Sequence, residues 1–127
     1  VAATTLAGFD TVTDFGASDI IDLSSVNQAL TGGAAASVIT LTQLALTDTT
    51  IADFSELAAA ILADAGLDAS SGAGLQAYLV DLTGNTGALG TGSYLLVNDN
   101  DTTMDGGDLM VMFSTPPQDL DAQSFAV

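Results

Sequence analysis

The chain has 127 residues, sixteen of them carboxylates, and contains no Lys, Arg or His, so its formal charge is −16 and no side-chain cation offsets it. Nucleic acid and anionic membranes are bound largely through Lys and Arg, and both are excluded as expected partners on that ground. A 48% apolar content and a mean hydropathy of +0.48 are far from the signature of a disordered acidic tail. This length suits one domain, 1–127, burying about two-thirds of the surface its unfolded chain exposes.

In chain order, Thr11-Val12-Thr13-Asp14-Phe15 and Asp19-Ile20-Ile21-Asp22-Leu23 read as two short strands joined by Gly16-Ala17-Ser18, a strand pair over 9–24. Ser24 to Ala36 is small and Gly-rich, a loop or short helix. Val38 to Leu46 alternates Thr with Val, Ile and Leu, the pattern of a half-buried strand. A helix follows over about 54–65. Asp53 caps it, Glu56 stands three residues later, and Gly66 stops it. Phe54, Leu57, Ala58, Ile61, Leu62 and Ala65 share its apolar face, which is read as core packing.

Three apolar runs come next, Ala77 to Leu82, Ser93 to Val97 and Asp108 to Phe113, separated by loops rich in Gly, Asn and Asp. That is the layout of an antiparallel meander over 77–114, with a tail over 116–127. The expected fold is mainly β, an antiparallel β-sandwich or β-roll-like sheet carrying one short amphipathic helix. No solenoid period is present; Gly106-Gly107-Asp108-Leu109 is only a fragment of the calcium-binding nonapeptide repeat.

Fifteen of the sixteen acids are Asp and only Glu56 is Glu. Asp suits turns and bonds its own backbone. Neighbouring carboxylates in one loop lie within the screening length of about 8 Å, so they need a cation or a salty medium. Two constellations stand out as metal ligands. One is Asp10, Asp14, Asp19 and Asp22 across the N-terminal strand pair. The other is Asn98, Asp99, Asn100 and Asp101, followed by Asp105 and Asp108, between the last two strands. Calcium takes six to eight hard oxygens and tolerates irregular geometry, whereas zinc and copper favour His or Cys, neither of which occurs. Calcium is therefore the expected cofactor, although the second loop lacks EF-hand order and also reads as a hairpin turn whose side chains cap backbone amides.

Without His, Cys or Lys, no Ser/His or Cys/His nucleophile pair and no phosphate-loop Lys can exist. A carboxylate pair such as Asp14 and Asp22 is the one catalytic device left, and Asp in Gly-rich turns is far commoner as structure, so no enzymatic activity is expected. The absence of cysteine removes disulfides. Val1 opens without an initiator Met, a basic segment or an apolar run of signal-peptide length. The expectation is a processed product, an excised domain, or a protein exported by another signal.

The stretch from Asp10 to Ser24, Asp-Thr-Val-Thr-Asp-Phe-Gly-Ala-Ser-Asp-Ile-Ile-Asp-Leu-Ser, resembles a segment that follows the calcium-binding repeats in repeats-in-toxin (RTX) proteins, such as the C-terminal domain of serralysin-type proteases. Ser93-Tyr94-Leu95-Leu96-Val97-Asn98-Asp99 with Asp108-Leu109-Met110-Val111 is similar to a hairpin of the same domains and of related bacterial surface proteins. Asp119 to Val127 resembles an uncleaved type I secretion signal. The resemblance implies export from a Gram-negative bacterium and association with calcium, although the repeats themselves are missing. The expected function is an extracellular, calcium-dependent structural protein that self-assembles with copies of itself into a surface layer or filament. A calcium-triggered secretion and folding module of a larger exoprotein, and a salt-adapted soluble domain, are the alternatives.

Overall fold

The chain runs β1 (Asp10–Val12), β2 (Ile21–Asp22), α1 (Asn27–Leu30), β3 (Ile39–Leu46), α2 (Phe54–Asp64), β4 (Leu75–Leu82), β5 (Gly92–Asn98), β6 (Leu109–Phe113), a 3-10 turn (Ala122–Ser124) and β7 (Phe125–Ala126). The computed structural model describes residues 10–47, 50–103, 107–117 and 119–127. The fold is mainly β, and its principal sheet has the strand order β1-β6-β5-β4-β3.

The meander forms where the apolar runs predict it. β4 and β5 pair antiparallel with Tyr78 opposite Leu96, and β5 and β6 pair antiparallel with Leu96 opposite Met110. All positions of β5 from Ser93 to Asn98 are buried, the state of a central strand covered on both faces. Even-numbered side chains (Tyr78, Val80, Leu82, Tyr94, Leu96, Met110) join Leu57, Ile61 and Phe54 of α2 in one core. Odd-numbered ones (Leu75, Ala77, Leu95, Val97, Leu109, Phe113) meet Leu23, Leu30, Leu120 and Phe125 in a second core on the opposite face. Across that face Phe15 meets Phe113 edge-on, with ring centroids 5.5 Å apart.

The sheet is mixed, not antiparallel throughout. β3 runs parallel to β4 from Ile39 opposite Leu75 to Leu46 opposite Leu82. Antiparallel neighbours can be joined by a tight turn, whereas parallel ones need a crossover. Here α2 supplies it, so the helix is the crossover of a βαβ unit. Its N-cap is as expected: Asp53 accepts from Glu56 N at 3.0 Å, and Glu56 reaches back to Ala52 N at 2.6 Å. The buried stripe is narrower than the sequence suggests. Phe54, Leu57 and Ile61 are buried, but Leu62 is 58% exposed. At 100° per residue Leu62 lies about 80° round the helix from Phe54, beyond what one flat sheet can cover. Ala65, placed on the same face, is exposed at the helix end.

The N-terminal strands both form, but not as a pair with each other. β1 joins the principal sheet parallel to β6, and β2 pairs parallel with β7 at the other end of the chain. The Gly16–Ser18 turn therefore moves the chain from the edge of one sheet into another, rather than closing a hairpin. β7 and the 3-10 turn hold the C-terminal tail in the second core. Phe125 is 8% and Leu120 2% exposed, Leu23 N donates to Ala126 O at 2.8 Å, and Gln43 Nε2 donates to Leu120 O at 3.0 Å. Asp121 and Ser124 complete a capping box around the turn. Ser124 to Val127 thus packs against its own chain, through Phe125 and Ala126 paired to β2.

Candidate metal centre

The N-terminal carboxylates are spread over separate elements. Asp10 sits in β1 opposite Val111, its side chain outside the described set. Asp14, Asp19 and Asp22 are exposed. Asp19 Oδ2 accepts from Gly16 N at 2.8 Å and so shapes the turn. Asp22 Oδ1 accepts from the Ser24 hydroxyl at 2.6 Å and from Ser24 N at 2.9 Å. These bonds, the hydroxyl first and the amide second, hold its pKa below the ordinary Asp value, against a small opposing effect of burial. β1 and β2, which carry Asp10 and Asp22, belong to different sheets. Among the described residues, no three acidic side chains stand together as a cluster able to hold an ion.

The loop between β5 and β6 is built differently, because its two ends are buried. Asn98 is 0% and Asp108 1% exposed. Asp108 Oδ1 accepts from Asp99 N at 2.9 Å, tying the strand ends together. Inside the loop, Asp99 Oδ1 accepts from Asp101 N at 3.0 Å. Asp101 Oδ1 in turn accepts from Thr103 N at 2.7 Å and from the Thr103 hydroxyl at 2.9 Å. These successive Asx turns match the capping reading of the sequence. Asn100 is exposed and lies against Gly32, whose backbone has φ +66° and whose place no Cβ could share with the Asn100 side chain. Asp105 lies outside the described residues.

Asn98 departs from the capping pattern. Its Nδ2 donates to Asp68 O at 3.0 Å and to Asp101 O at 2.6 Å, while Oδ1 is buried with no hydrogen-bond partner among the described residues. An orphaned buried acceptor keeps the full cost of leaving water, about 1–3 kcal/mol. A neutral amide oxygen, a buried carboxylate and nearby backbone carbonyls are hard oxygen donors of the kind calcium takes, so these residues fit the ion the resemblance implies.

Buried polar residues that the sequence reading passed over hold this end of the sheet. Ser70, 1% exposed, donates its hydroxyl to Asn98 O and accepts from Gln76 N at 2.9 Å, while its amide donates to Asp99 O at 2.5 Å. Asp68 N donates to the Tyr78 hydroxyl at 2.5 Å, and burial raises the Tyr78 pKa. Two further Asn residues do similar work elsewhere. Asn27 pairs through its amide with Ala36 N and O at 2.9 and 2.7 Å. Asn85 Nδ2 bridges Ile51 O and Gly90 O at 2.8 and 2.9 Å. The available signal was an Asn inside a small-residue stretch, a cue shared by any solvated turn.

No protein-family model matches this chain, and no similar curated protein or solved structure was found. The RTX resemblance therefore stands on the motifs quoted above.

Proposed function

We propose that this chain is an exported structural subunit that self-assembles outside a Gram-negative cell into a surface layer or filament, with calcium offsetting its charge. The observation that carries this reading is the β3 edge. β3 is eight residues long, forms the last strand of the principal sheet, and pairs with β4 one residue to one without a bulge. Its sequence, Ile-Thr-Leu-Thr-Gln-Leu-Ala-Leu, has neither a charge nor a Pro. Among the described residues no backbone hydrogen bond reaches its outer side. Soluble folds protect such an edge with Lys, Pro, bulges or a covering element, and an unprotected one is a template for pairing with another chain.

The rest of the surface opposes that pairing, because two copies of charge −16 repel. Divalent cations would lower this repulsion and make assembly responsive to calcium. The expected partner is a further copy of the chain.

Electron microscopy of the purified chain in calcium and in chelator tests the proposal. Ordered polymers in calcium that disperse in chelator support it. Thr40→Glu with Ala45→Glu, both at exposed positions of β3, should leave the fold intact and abolish the polymers. Monomers in calcium as well as in chelator would overturn it. One observation favours the folding-module alternative: the secretion-signal-like tail is woven into the second core and paired to β2. That reading predicts calcium-dependent folding of a chain that stays monomeric.

A further inference from the structure

We infer that the base of the β5–β6 hairpin binds one calcium ion through the side-chain oxygens of Asn98 and Asp108, a site that rests on the calcium dependence proposed above and gives it an address. Asn98 is fully buried, and both of its Nδ2 hydrogens are committed to carbonyls, of Asp68 and Asp101. Turning the amide over would set its oxygen against those carbonyls, so the orientation is fixed and Oδ1 is the atom left without a donor among the described residues. The missing group must be electropositive, and the chain has no Lys, Arg or His to supply it.

The hairpin register brings Asp108 to the same place. Val97 and Leu109 are the last registered pair, and Leu96 and Met110 before them share the helix-side core. Asn98 and Asp108 stand one step beyond, so their side chains leave the sheet on that same face as cross-strand neighbours, with Cβ atoms about 4.5–5.5 Å apart. Oxygens bound to one calcium at about 2.3–2.6 Å each lie no more than about 5 Å from one another, so the span fits. The bond from Asp99 N to Asp108 Oδ1 holds the carboxylate in place. Water would complete the coordination.

The donor set is all oxygen and largely neutral, which favours calcium over zinc or copper and over the strict octahedron of magnesium. With a single buried carboxylate among the described residues, the affinity belongs with extracellular calcium modules, at a Kd of about 0.1–1 mM. The rival partner of Asn98 Oδ1 is an ordered water.

Calorimetric titration of the full chain with calcium chloride, together with its melting temperature in calcium and in chelator, tests the site. One ion should bind per wild-type chain, and 10 mM calcium should raise Tm by about 5–10 °C. Asp108→Asn keeps the shape and the acceptor for Asp99 N but removes the charge. It should weaken binding at least tenfold, lose most of the Tm rise, and in chelator be no less stable than wild type. Terbium supplies a readout on chains whose hairpin is unaltered. Tyr78 contacts Asp68, which contacts Asn98, so tyrosine-sensitised emission should appear in wild type, be displaced by calcium, and fall sharply in Tyr78→Phe while calcium affinity is kept. Wild-type binding that Asp108→Asn leaves unchanged would overturn this site alone and leave the calcium-dependent reading standing. Absence of any binding or Tm response up to 10 mM would assign a water to Asn98 Oδ1 and overturn both.

Discussion

Phe125→Ala asks whether the tail that resembles an export signal is a structural part of the domain. Phe125 is 8% exposed and packs in the second core with Leu23, Leu30 and Leu120. Truncating a buried Phe costs about 3–5 kcal/mol when the surroundings cannot collapse. Here β7 has only two residues, so local relaxation is easy and the lower end, about 3 kcal/mol, applies. For a domain of this size each kcal/mol is worth about 4 °C, giving a fall in Tm of about 12 °C. The assay is urea denaturation in calcium, followed by far-ultraviolet circular dichroism because the chain lacks Trp. The midpoint should drop with the slope unchanged, since the surface exposed on unfolding is nearly the same. A loss below about 1 kcal/mol would mean that the tail is undocked in solution and that the second core closes without it.

The two faces of α2 give a matched pair: Leu57→Ala, at a fully buried position, should cost about 2–5 kcal/mol, while Leu62→Ala, at a 58% exposed one, should stay within about 0.5 kcal/mol in the same denaturation assay. Asn85→Ala strips partners from Ile51 O, Gly90 O and Gly87 N and should lose about 2–4 kcal/mol; Asn85→Asp should be no better near neutral pH, because a carboxylate cannot donate to those two carbonyls. Asp22 should titrate below the ordinary Asp value by NMR, and Ser24→Ala should raise its midpoint towards that value. Because its folded-state pKa is depressed, the contribution of Asp22 is present above the unfolded value and is lost as pH falls through the folded one; a Ser24→Ala chain with the same acid-side profile would refute this.

What could be read from the sequence was local. The Asp53 and Glu56 caps and the 3.6-residue spacing define α2, and the apolar runs define β4, β5 and β6, because each signal lies within a few residues of the structure it produces. Strand direction is not local. The alternation in β3 is the same whether its neighbour runs parallel or antiparallel, and only the helix between β3 and β4 hints at a crossover. The Gly16–Ser18 turn likewise forms, with Asp19 bonded to Gly16, but the partners of β1 and β2 lie about a hundred residues away. For the candidate site, Asn98 and Asp108 were visible as residue types in an Asp-rich loop. Their burial was not, because it comes from the hairpin register and from Ser70 and the Asp68 carbonyl closing over the strand end.

The placement of the chain ends bears on how calcium and export would be coupled. β1 cannot pair until β6 exists, and β2 cannot pair until Phe125 and Ala126 are available. The second core draws on Leu23 and Leu30 from one end and on Leu120 and Phe125 from the other. Contacts of such sequence separation close late, since their loop entropy is lost before any packing offsets it. A partial chain therefore lacks the β1–β6 and β2–β7 pairings and half of one core, while already carrying carboxylates with no cationic side chain to offset them. Self-repulsion weighs most on that incomplete state, where little burial opposes it. Calcium held between Asn98 and Asp108 would act late in the chain, at the hairpin that places β6 for β1. If the chain is exported and binds calcium as proposed, this order suits a domain that would stay open while it is threaded outward and close where calcium is abundant. A decisive comparison is the refolding rate of the full chain and of one ending at Gln118, each with and without calcium. Calcium should speed folding of the full chain, whereas the shortened one should remain unfolded in both media. Folding of the shortened chain at the full rate would show that the second core does not wait for the tail.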